Sequence, residues 1–390
     1  MNRRQGTERA VAELVERLAR EHHCEVHLYA QEVEDIETVS SAKAMRPEQG
    51  CIVWHRIGRI PAPHLLQFVY WLSANRVTRL WNKWVSRLTF DAVFSPGINA
   101  LDADVVLVHA VFHRLRELQS GRRGAGLRGM HRSLYYRLLC WLESRVYRRQ
   151  SLRLAAVSRH TANQLKEYFS RTDVSVIPNG VDAAYFSQAN RERLRADARR
   201  KLGYSNEEIV LLLVGNDFRN KGLPVLLEAV NLCPGLPLRV CVVGEDASGH
   251  TLESVAQAGA KGRITFSGET EIHDILQFYA GADVYVAPSL EDSFNLPTLE
   301  AMACGLLVIV STNAGISEYV RDRENGVLLH DANDPQELAD ALQRIANDRG
   351  LAATLVTNAL RTAAALSWDR QAEALVRLLG SVVKTRRVSR

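Results

Sequence analysis

The chain has 390 residues, 46% hydrophobic and 24% charged, with 49 Lys and Arg against 44 Asp and Glu for a net charge of +5. This length exceeds one ordinary domain, and the composition excludes a collagenous or largely disordered chain. A mildly basic balance permits an anionic partner without requiring one.

Ala10, Val11, Leu14, Val15 and Leu18 form one stripe between charged positions and predict an opening helix. Residues 26–29 read as a short strand, 31–50 as polar loop and 52–54 as a strand. Residues 65–88 predict a helix carrying Trp71, Trp81 and Trp84 beside Arg76, Arg79, Lys83 and Arg87. Strands follow at 92–94 and 105–108, then a Gly/Arg loop and a basic aromatic helix over 121–149. A strand at 154–157, a helix at 160–169 and a strand at 174–177 lead to the turn cluster Pro178-Asn179-Gly180-Val181-Asp182, the expected domain boundary. Beyond an Arg-rich stretch, strands are expected at 209–214, 238–243, 264–266, 284–287 and 307–310. They alternate with helices at 222–231, 251–258, 271–280, 297–303, 334–347 and 350–364, before an amphipathic helix at 368–380.

This alternation defines an α/β chain with parallel sheets covered on both faces. It predicts two Rossmann-like doubly wound domains facing across a cleft. The expected limits are 1–180 and 181–365, with 366–390 packing back toward the first domain. The six cysteines, Cys24, Cys51, Cys140, Cys233, Cys241 and Cys304, lack C-x-x-C spacing and read as buried free thiols. No signal peptide and no apolar stretch of spanning length is legible, so the expected address is cytoplasmic.

Two clusters can carry chemistry. In Val214-Gly215-Asn216-Asp217-Phe218-Arg219-Asn220-Lys221-Gly222 an apolar strand ends in Gly, and Lys221 stands at a helix start. A backbone open to close approach beside a cation suits a phosphate. The same residues also fit an ordinary strand-to-helix turn with a solvated Lys. The second cluster runs from Pro288 to Gly305. An acidic loop, Glu291-Asp292-Ser293-Phe294-Asn295-Leu296, precedes a helix beginning near Pro297, and the N–H groups of 293–296 are expected to point at a diphosphate. Asp292 and Glu300, with seven residues between them, are acceptors suited to sugar and ribose hydroxyls. Equally, such acids serve as a helix-start acid and a solvated helix residue.

Asp292-x7-Glu300 followed by Ala-Met-Ala-Cys-Gly resembles the E-x7-E segment of the retaining glycosyltransferases of family 4. Gly6-Thr7-Glu8-Arg9, Val157-Ser158, Ile177 to Asp182, Val214 to Gly222, Val243-Gly244, Gly268 and Gly315-Ile316-Ser317-Glu318 agree with it in order. Within that family the Val-Gly-x-Asp-Phe-x-x-Lys-Gly pattern looks most like the lipopolysaccharide-core glucosyltransferases. The resemblance implies the GT-B fold, a UDP-sugar such as UDP-glucose or another nucleotide-diphosphate sugar as donor, and retention of anomeric configuration. No cofactor is expected, and no metal is needed if Lys221, Arg219 and helix N-termini stabilise the developing diphosphate charge. By position Asp292 binds hydroxyls of the transferred sugar and Glu300 the nucleotide ribose. Gly6, Gly215, Asn216, Lys221, Glu291, Phe294, Asn295 and Leu296 complete the donor site, and His109, Lys221, Arg219 and Asp292 are the catalytic candidates.

The chain departs from the family in four places. Asp292 stands where Glu is usual, Asn295 where Gly is favoured, and Asn216 where the first donor-loop cation is usual, leaving Arg219 to supply that charge. The strand that precedes the Gly-rich turn has only Met1 to Gln5 to form it, so the first strand of the first domain is expected to be missing.

Residues 65–88 and 121–149 are rich in cations and aromatics. Arg122, Arg123, Arg128, Arg132, Arg137, Arg145, Arg148 and Arg149 are opposed by one acid, Glu143. This pattern suits peripheral contact with an anionic membrane at its inner face, or a simple solvated helix face; nucleic acid is not expected. The expected function is transfer of a hexose from the nucleotide sugar to a saccharide or lipid-linked acceptor. The alternative is a non-catalytic sugar-nucleotide-binding or assembly protein on the same scaffold.

Overall fold

The computed structural model describes residues 6–39, 50–119, 127–245 and 262–388; the helix expected at 251–258 and the side chains of Arg122, Arg123 and Arg128 lie outside the described residues. The chain divides into two compact units, Met1–Pro178 with Asp369–Arg390, and Asn179–Trp368.

The first unit opens with α1 (Gly6–Arg20), β1 (Glu25–Ala30) and β2 (Cys51–Arg56). Val11, Val15 and Ala19 of α1 pack on Ile52, Val26 and Leu28 of the two strands. A 22-residue helix, α2 (His64–Val85), precedes β3 (Phe94–Pro96) and β4 (Val105–Val108). Two helices, α3 (Phe112–Gln119) and α4 (Leu127–Tyr147), then lead to β5 (Arg153–Ala156), α5 (Arg159–Phe169) and β6 (Val174–Val176).

These strands do not make one sheet. β1 and β2 pair in parallel as a 2-stranded sheet, and β3-β4-β5-β6 form a separate parallel 4-stranded sheet. Among the described residues no strand bridges them. Among the described residues β1 and β3 are each paired on one side only, and β1 is largely half-buried. The four-stranded part has a core of its own around Val106, Val108, Leu154 and Ala156. Arg171, 2% exposed, ties its far end by donating to the carbonyls of Tyr147, Arg149 and Leu152 while pairing with Asp173.

The second unit contains α6 (Gln188–Leu202), β7 (Ile209–Val214), α7 (Leu223–Asn231), β8 (Leu238–Val243) and β9 (Ile264–Phe266). It continues with α8 (Ile275–Gly281), β10 (Val284–Ala287), α9 (Leu296–Ala303), β11 (Leu307–Ser311) and β12 (Val327–Leu329). The helices α10 (Pro335–Asn347) and α11 (Arg349–Ala364) complete it, and α12 (Trp368–Val388) carries the chain into the first unit. Its 6-stranded sheet is parallel throughout, in the order β12-β11-β10-β7-β8-β9. From β7 the chain winds outward one way through β8 and β9, then returns to the other side through β10, β11 and β12. The switch point therefore lies between β7 and β10, where an open α/β sheet offers a crevice at its carboxyl edge.

Three elements escaped the sequence pattern. α3 is eight residues long, with only Phe112, Leu115 and Leu118 apolar among polar and charged neighbours; its start is fixed by Glu143 of α4, which accepts the N–H groups of Phe112 and His113. α6 is the Arg-rich stretch. Arg191, Arg195 and Arg199, spaced four apart, reach the carbonyls of Ala280, Gly281 and Ala282 and the Asp283 carboxylate, so tertiary ion pairs rather than apolar periodicity hold it. β12 is a three-residue edge strand, too short to show a period.

Candidate functional site

At the carboxyl end of β7 the chain must turn sharply. Gly215 has φ +148°, and a Cβ there would lie 2.6 Å from Lys221 Cε, so the glycine makes room for the Lys221 side chain to fold back over the strand end. Gly222, at φ +78°, caps α7, and a Cβ there would collide with the Pro288 carbonyl of the neighbouring loop. The loop after β7 and the loop after β10 thus touch backbone to backbone. Leu290 donates its N–H to the Asn220 carbonyl at 2.8 Å, and Asn220 Nδ2 donates to the Glu291 carbonyl at 2.9 Å.

This seam brings Lys221 Nζ to 2.6 Å from Asp292 Oδ2. The other carboxylate oxygen, Oδ1, accepts from the N–H groups of Asn295 at 2.8 Å and Phe294 at 3.2 Å. Two of the four amides expected to face a diphosphate, those of Phe294 and Asn295, are therefore engaged by the carboxylate that sequence placed beside them. The Asp292 backbone is itself fixed: its N–H donates to Asn313 and its carbonyl accepts from Gly315.

Asn295 occupies left-handed backbone at φ +71°, the conformation that Gly tolerates best and Asn next best, and its side chain accepts from Thr298 N–H to cap α9. Tyr285 and Thr298 hydroxyls also donate to Asn295 Oδ1, at 3.3 and 2.9 Å. Glu300, 2% exposed, accepts the Tyr279 hydroxyl at 2.6 Å. Burial, with the nearby Glu300 charge, pushes the Tyr279 hydroxyl well up, so it stays a donor.

The remaining predicted residues have different settings. Glu291 is buried, as are Phe294 and Leu296. Asn216 is exposed, with Oδ1 accepting the N–H of Glu245, so it staples the β7 and β8 loop ends. Arg219 is exposed, closes the turn through its carbonyl to Gly222 N–H, and makes no ion pair among the described residues. Gly6 and His109 belong to the first unit. His109 follows β4 and is 8% exposed; neither ring nitrogen has a hydrogen-bond partner. Burial pushes its pKa down to about 4, against a smaller opposing pull from the Leu107 backbone, so the ring is neutral at neutral pH.

Sequence reasoning missed Asn220, Tyr279 and Thr298. Asn220 adjoins Lys221 in sequence, whereas Tyr279 of α8 meets Glu300 of α9 only in the folded unit. Among the described residues, His113, Cys140 and Glu143 of the first unit are grouped closely enough to ligate a metal. Glu143 is occupied there in capping α3 and in accepting His113 Nδ1 at 2.8 Å.

One doubly wound unit with a Gly turn, a lysine and a helix start at its switch point, and a second unit of parallel α/β build, fit the GT-B class. Residues 4–185 match the family described as Glycosyltransferase Family 4, and residues 195–362 match Glycosyl transferases group 1. The chain belongs to the family 4 glycosyltransferases. It is 34% identical over 247 residues to the D-inositol 3-phosphate glycosyltransferase of Salinispora arenicola, covering 59% of this chain and 55% of the relative. It is also 34% identical over 239 residues to that of Geodermatophilus obscurus, covering 57% and 51%. The match thus spans about half the length of these curated relatives. In fold it is similar to WaaG, a glycosyltransferase involved in lipopolysaccharide biosynthesis, at TM-score 0.74 and 18% identity over 96% of both chains. It is similar also to the Anabaena protein HepE in complex with UDP and glucose, at TM-score 0.66 and 19% identity over 97% and 96%.

Proposed function

We propose that this chain transfers a hexosyl group from a nucleotide-diphosphate sugar, a UDP-sugar such as UDP-glucose being the first donor to test, to a saccharide or lipid-linked acceptor. The observation that carries the reading is the Lys221–Asp292 pair on touching loops at the switch point, 2.6 Å apart, at the N-terminus of α9. A cation and helix-start amides stabilise the charge developing on a departing diphosphate, and carboxylates orient sugar and ribose hydroxyls. Retention follows if the acceptor attacks on the face that the diphosphate leaves, with a leaving phosphate oxygen taking the acceptor proton. Lys221 holds that phosphate; Asp292 holds the sugar; Glu300, oriented by Tyr279, is proposed for the ribose. His109, neutral and without a partner on either nitrogen, is proposed to meet the transferred sugar. In this reading no metal is required. Incubating the protein with a panel of nucleotide sugars and saccharide or lipid acceptors, and measuring released nucleotide and product anomer by mass spectrometry and NMR, tests it. Donor binding without turnover of any acceptor would favour the non-catalytic binding protein, and an inverted anomer would remove the same-face mechanism.

Peripheral attachment to an anionic membrane, at its cytoplasmic face, is proposed on a separate observation. α2 packs Phe68 and Leu72 on the core yet leaves a second apolar stripe outward. Its buried residues are Asn75 and Arg79, and Arg79 pairs with Asp102 at 2.5 Å. Its exposed stripe is Leu66, Val69, Val77, Leu80 and Trp84, flanked by Trp81, Arg76, Lys83 and Arg87. No Asp or Glu occurs from 60 to 90. On α4, which packs beside it through Phe68 and Tyr135, Met130, Leu134, Arg137, Trp141 and Arg145 are exposed, as is Arg148 just after it. Apolar side chains facing out among cations suit an interfacial helix, and lipid-linked acceptors and a role near lipopolysaccharide assembly accord with it. Arg149 is not part of this face: its guanidinium is spent on the Leu101 and Ala103 carbonyls. Co-sedimentation with phosphatidylglycerol vesicles should be lost on Trp81→Ser with Trp84→Ser and should weaken with salt; equal retention by the variant would exclude α2.

A further inference from the structure

We propose that Asp292 is an internal counter-anion: it holds the phosphate-binding donors whenever no sugar is present, and thereby discriminates the sugar nucleotide from the nucleoside diphosphate left after transfer. The inference rests on the donor-site reading above and assigns a second role to one of its residues.

Three donors converge on this carboxylate. Oδ2 takes Lys221 Nζ at 2.6 Å, and Oδ1 takes the N–H groups of Asn295 at 2.8 Å and Phe294 at 3.2 Å. One cation with two amides at the start of a helix is the set that binds a phosphate. All three are held in place by the fold. Lys221 lies folded against Gly215, and the amides sit where Asn295, locked by Tyr285 and Thr298, caps α9. The Asp292 backbone cannot withdraw, being bonded on both sides to Asn313 and Gly315. Only its side chain can turn away.

A diphosphate and the carboxylate cannot share these donors, because two anions in one partly buried site repel. Binding is therefore an exchange. When the incoming nucleotide carries a sugar, the displaced carboxylate regains hydrogen bonds from sugar hydroxyls, which are O–H donors. When it is a bare nucleoside diphosphate, no hydroxyl replaces what the carboxylate gave up. The carboxylate then returns to Lys221 and the two amides, and the product leaves. Specificity arises here as a difference of affinities, obtained by weakening the competitor.

Calorimetric titration of UDP, GDP and ADP into the wild type, Lys221→Ala, Asp292→Asn and the double variant tests this. Asn keeps an acceptor for the two amides, so the loop is retained while the charge on Lys221 is released; Asp292→Ala is a second variant, and thermal unfolding checks each. Lys221→Ala should weaken the nucleotide that the wild type prefers by about tenfold or more, the scale of one charge-assisted bond. Asp292→Asn should bind the same nucleotide about tenfold more tightly, show stronger product inhibition, and lose that gain when Lys221 is also Ala. If Lys221→Ala weakens binding but neither Asp292 variant tightens it, the counter-anion role is overturned while the donor site stands. If Lys221→Ala leaves nucleotide binding unchanged, or the wild type binds none, the donor-site reading fails and this proposal fails with it.

Discussion

The two units apply one architectural rule with different results. In the second, β7 lies between β10 and β8, and Leu211 and Leu212 at its centre are fully buried. In the first, among the described residues, the strands stop at a divide: β1 is paired only to β2, β3 only to β4, and β1 keeps one buried residue, Ala30. A parallel strand is stable when helices cover both faces and neighbours satisfy both edges. The second unit meets both conditions at its switch point, and the lysine, the amides and the carboxylate are gathered there. The comparison teaches that the candidate site gathers where the sheet is continuous and its central strand is paired on both sides.

The largest effect that could break this comparison is a core truncation in each sheet. Leu211→Ala in β7 should cost about 2–5 kcal/mol, the range for a fully buried leucine, whereas Leu28→Ala in half-buried β1 should cost about 1 kcal/mol. Hydrogen exchange followed peptide by peptide checks this, since it reads each unit by itself. Equal protection in β1 and β7 would show that the divided sheet is no weaker.

Next is a change that should leave both sheets intact. Lys221→Ala should lower kcat/KM by about 3 kcal/mol, roughly a hundredfold, with the sheets retained and only a small fall in melting temperature from the lost pairing with Asp292. Unchanged turnover would separate the rigid loops from chemistry.

An acid titration probes the first unit. His109 is held neutral in the folded chain, with its pKa at about 4 against an ordinary 6.5. As pH falls below 6.5 the unfolded chain takes up a proton that the folded chain refuses until about 4. This contribution to stability is therefore complete above 6.5 and is lost across that window. It amounts to about 3 kcal/mol at most. Denaturant titrations at pH 7 and pH 4.5 should show a smaller acid loss for His109→Gln than for wild type; identical losses would mean that the ring is solvated.

The smallest effect concerns single cations on the outward face of α4 and just after it. Arg145→Gln and Arg148→Gln should each weaken binding to anionic vesicles by about 1 kcal/mol, while Arg149→Gln should instead lower stability, since its partners are the Leu101 and Ala103 carbonyls. Vesicle partition and thermal unfolding of the three variants separate these roles. Loss of partition in Arg149→Gln alone would reverse the assignment.

Much of the second unit was legible. Its strands are short apolar runs, and runs buried on both faces announce themselves without a partner. The Gly215 turn and the Pro297 helix start are local signals, so the site could be placed at strand ends. What was not legible depends on distant residues. The basic run 188–202 lacks apolar period because its partners are carbonyls near residue 280 and Asp283. Arg79 and Arg87 look alike in sequence, yet one is buried against Asp102 and the other is exposed.

Sequence alone determined the alternation of strands and helices, the two-unit plan, and the residue types at the switch-point loops, because these follow from local periodicity and backbone need. Only the tertiary structure decided that the first sheet divides rather than closes up. It also decided that α2 presents a second apolar stripe outward, and that Asp292 rests on Lys221 and two of the amides that sequence reserved for a phosphate. Each of these turns on which partner wins a hydrogen bond or a buried face, a competition that adjacent residues do not decide.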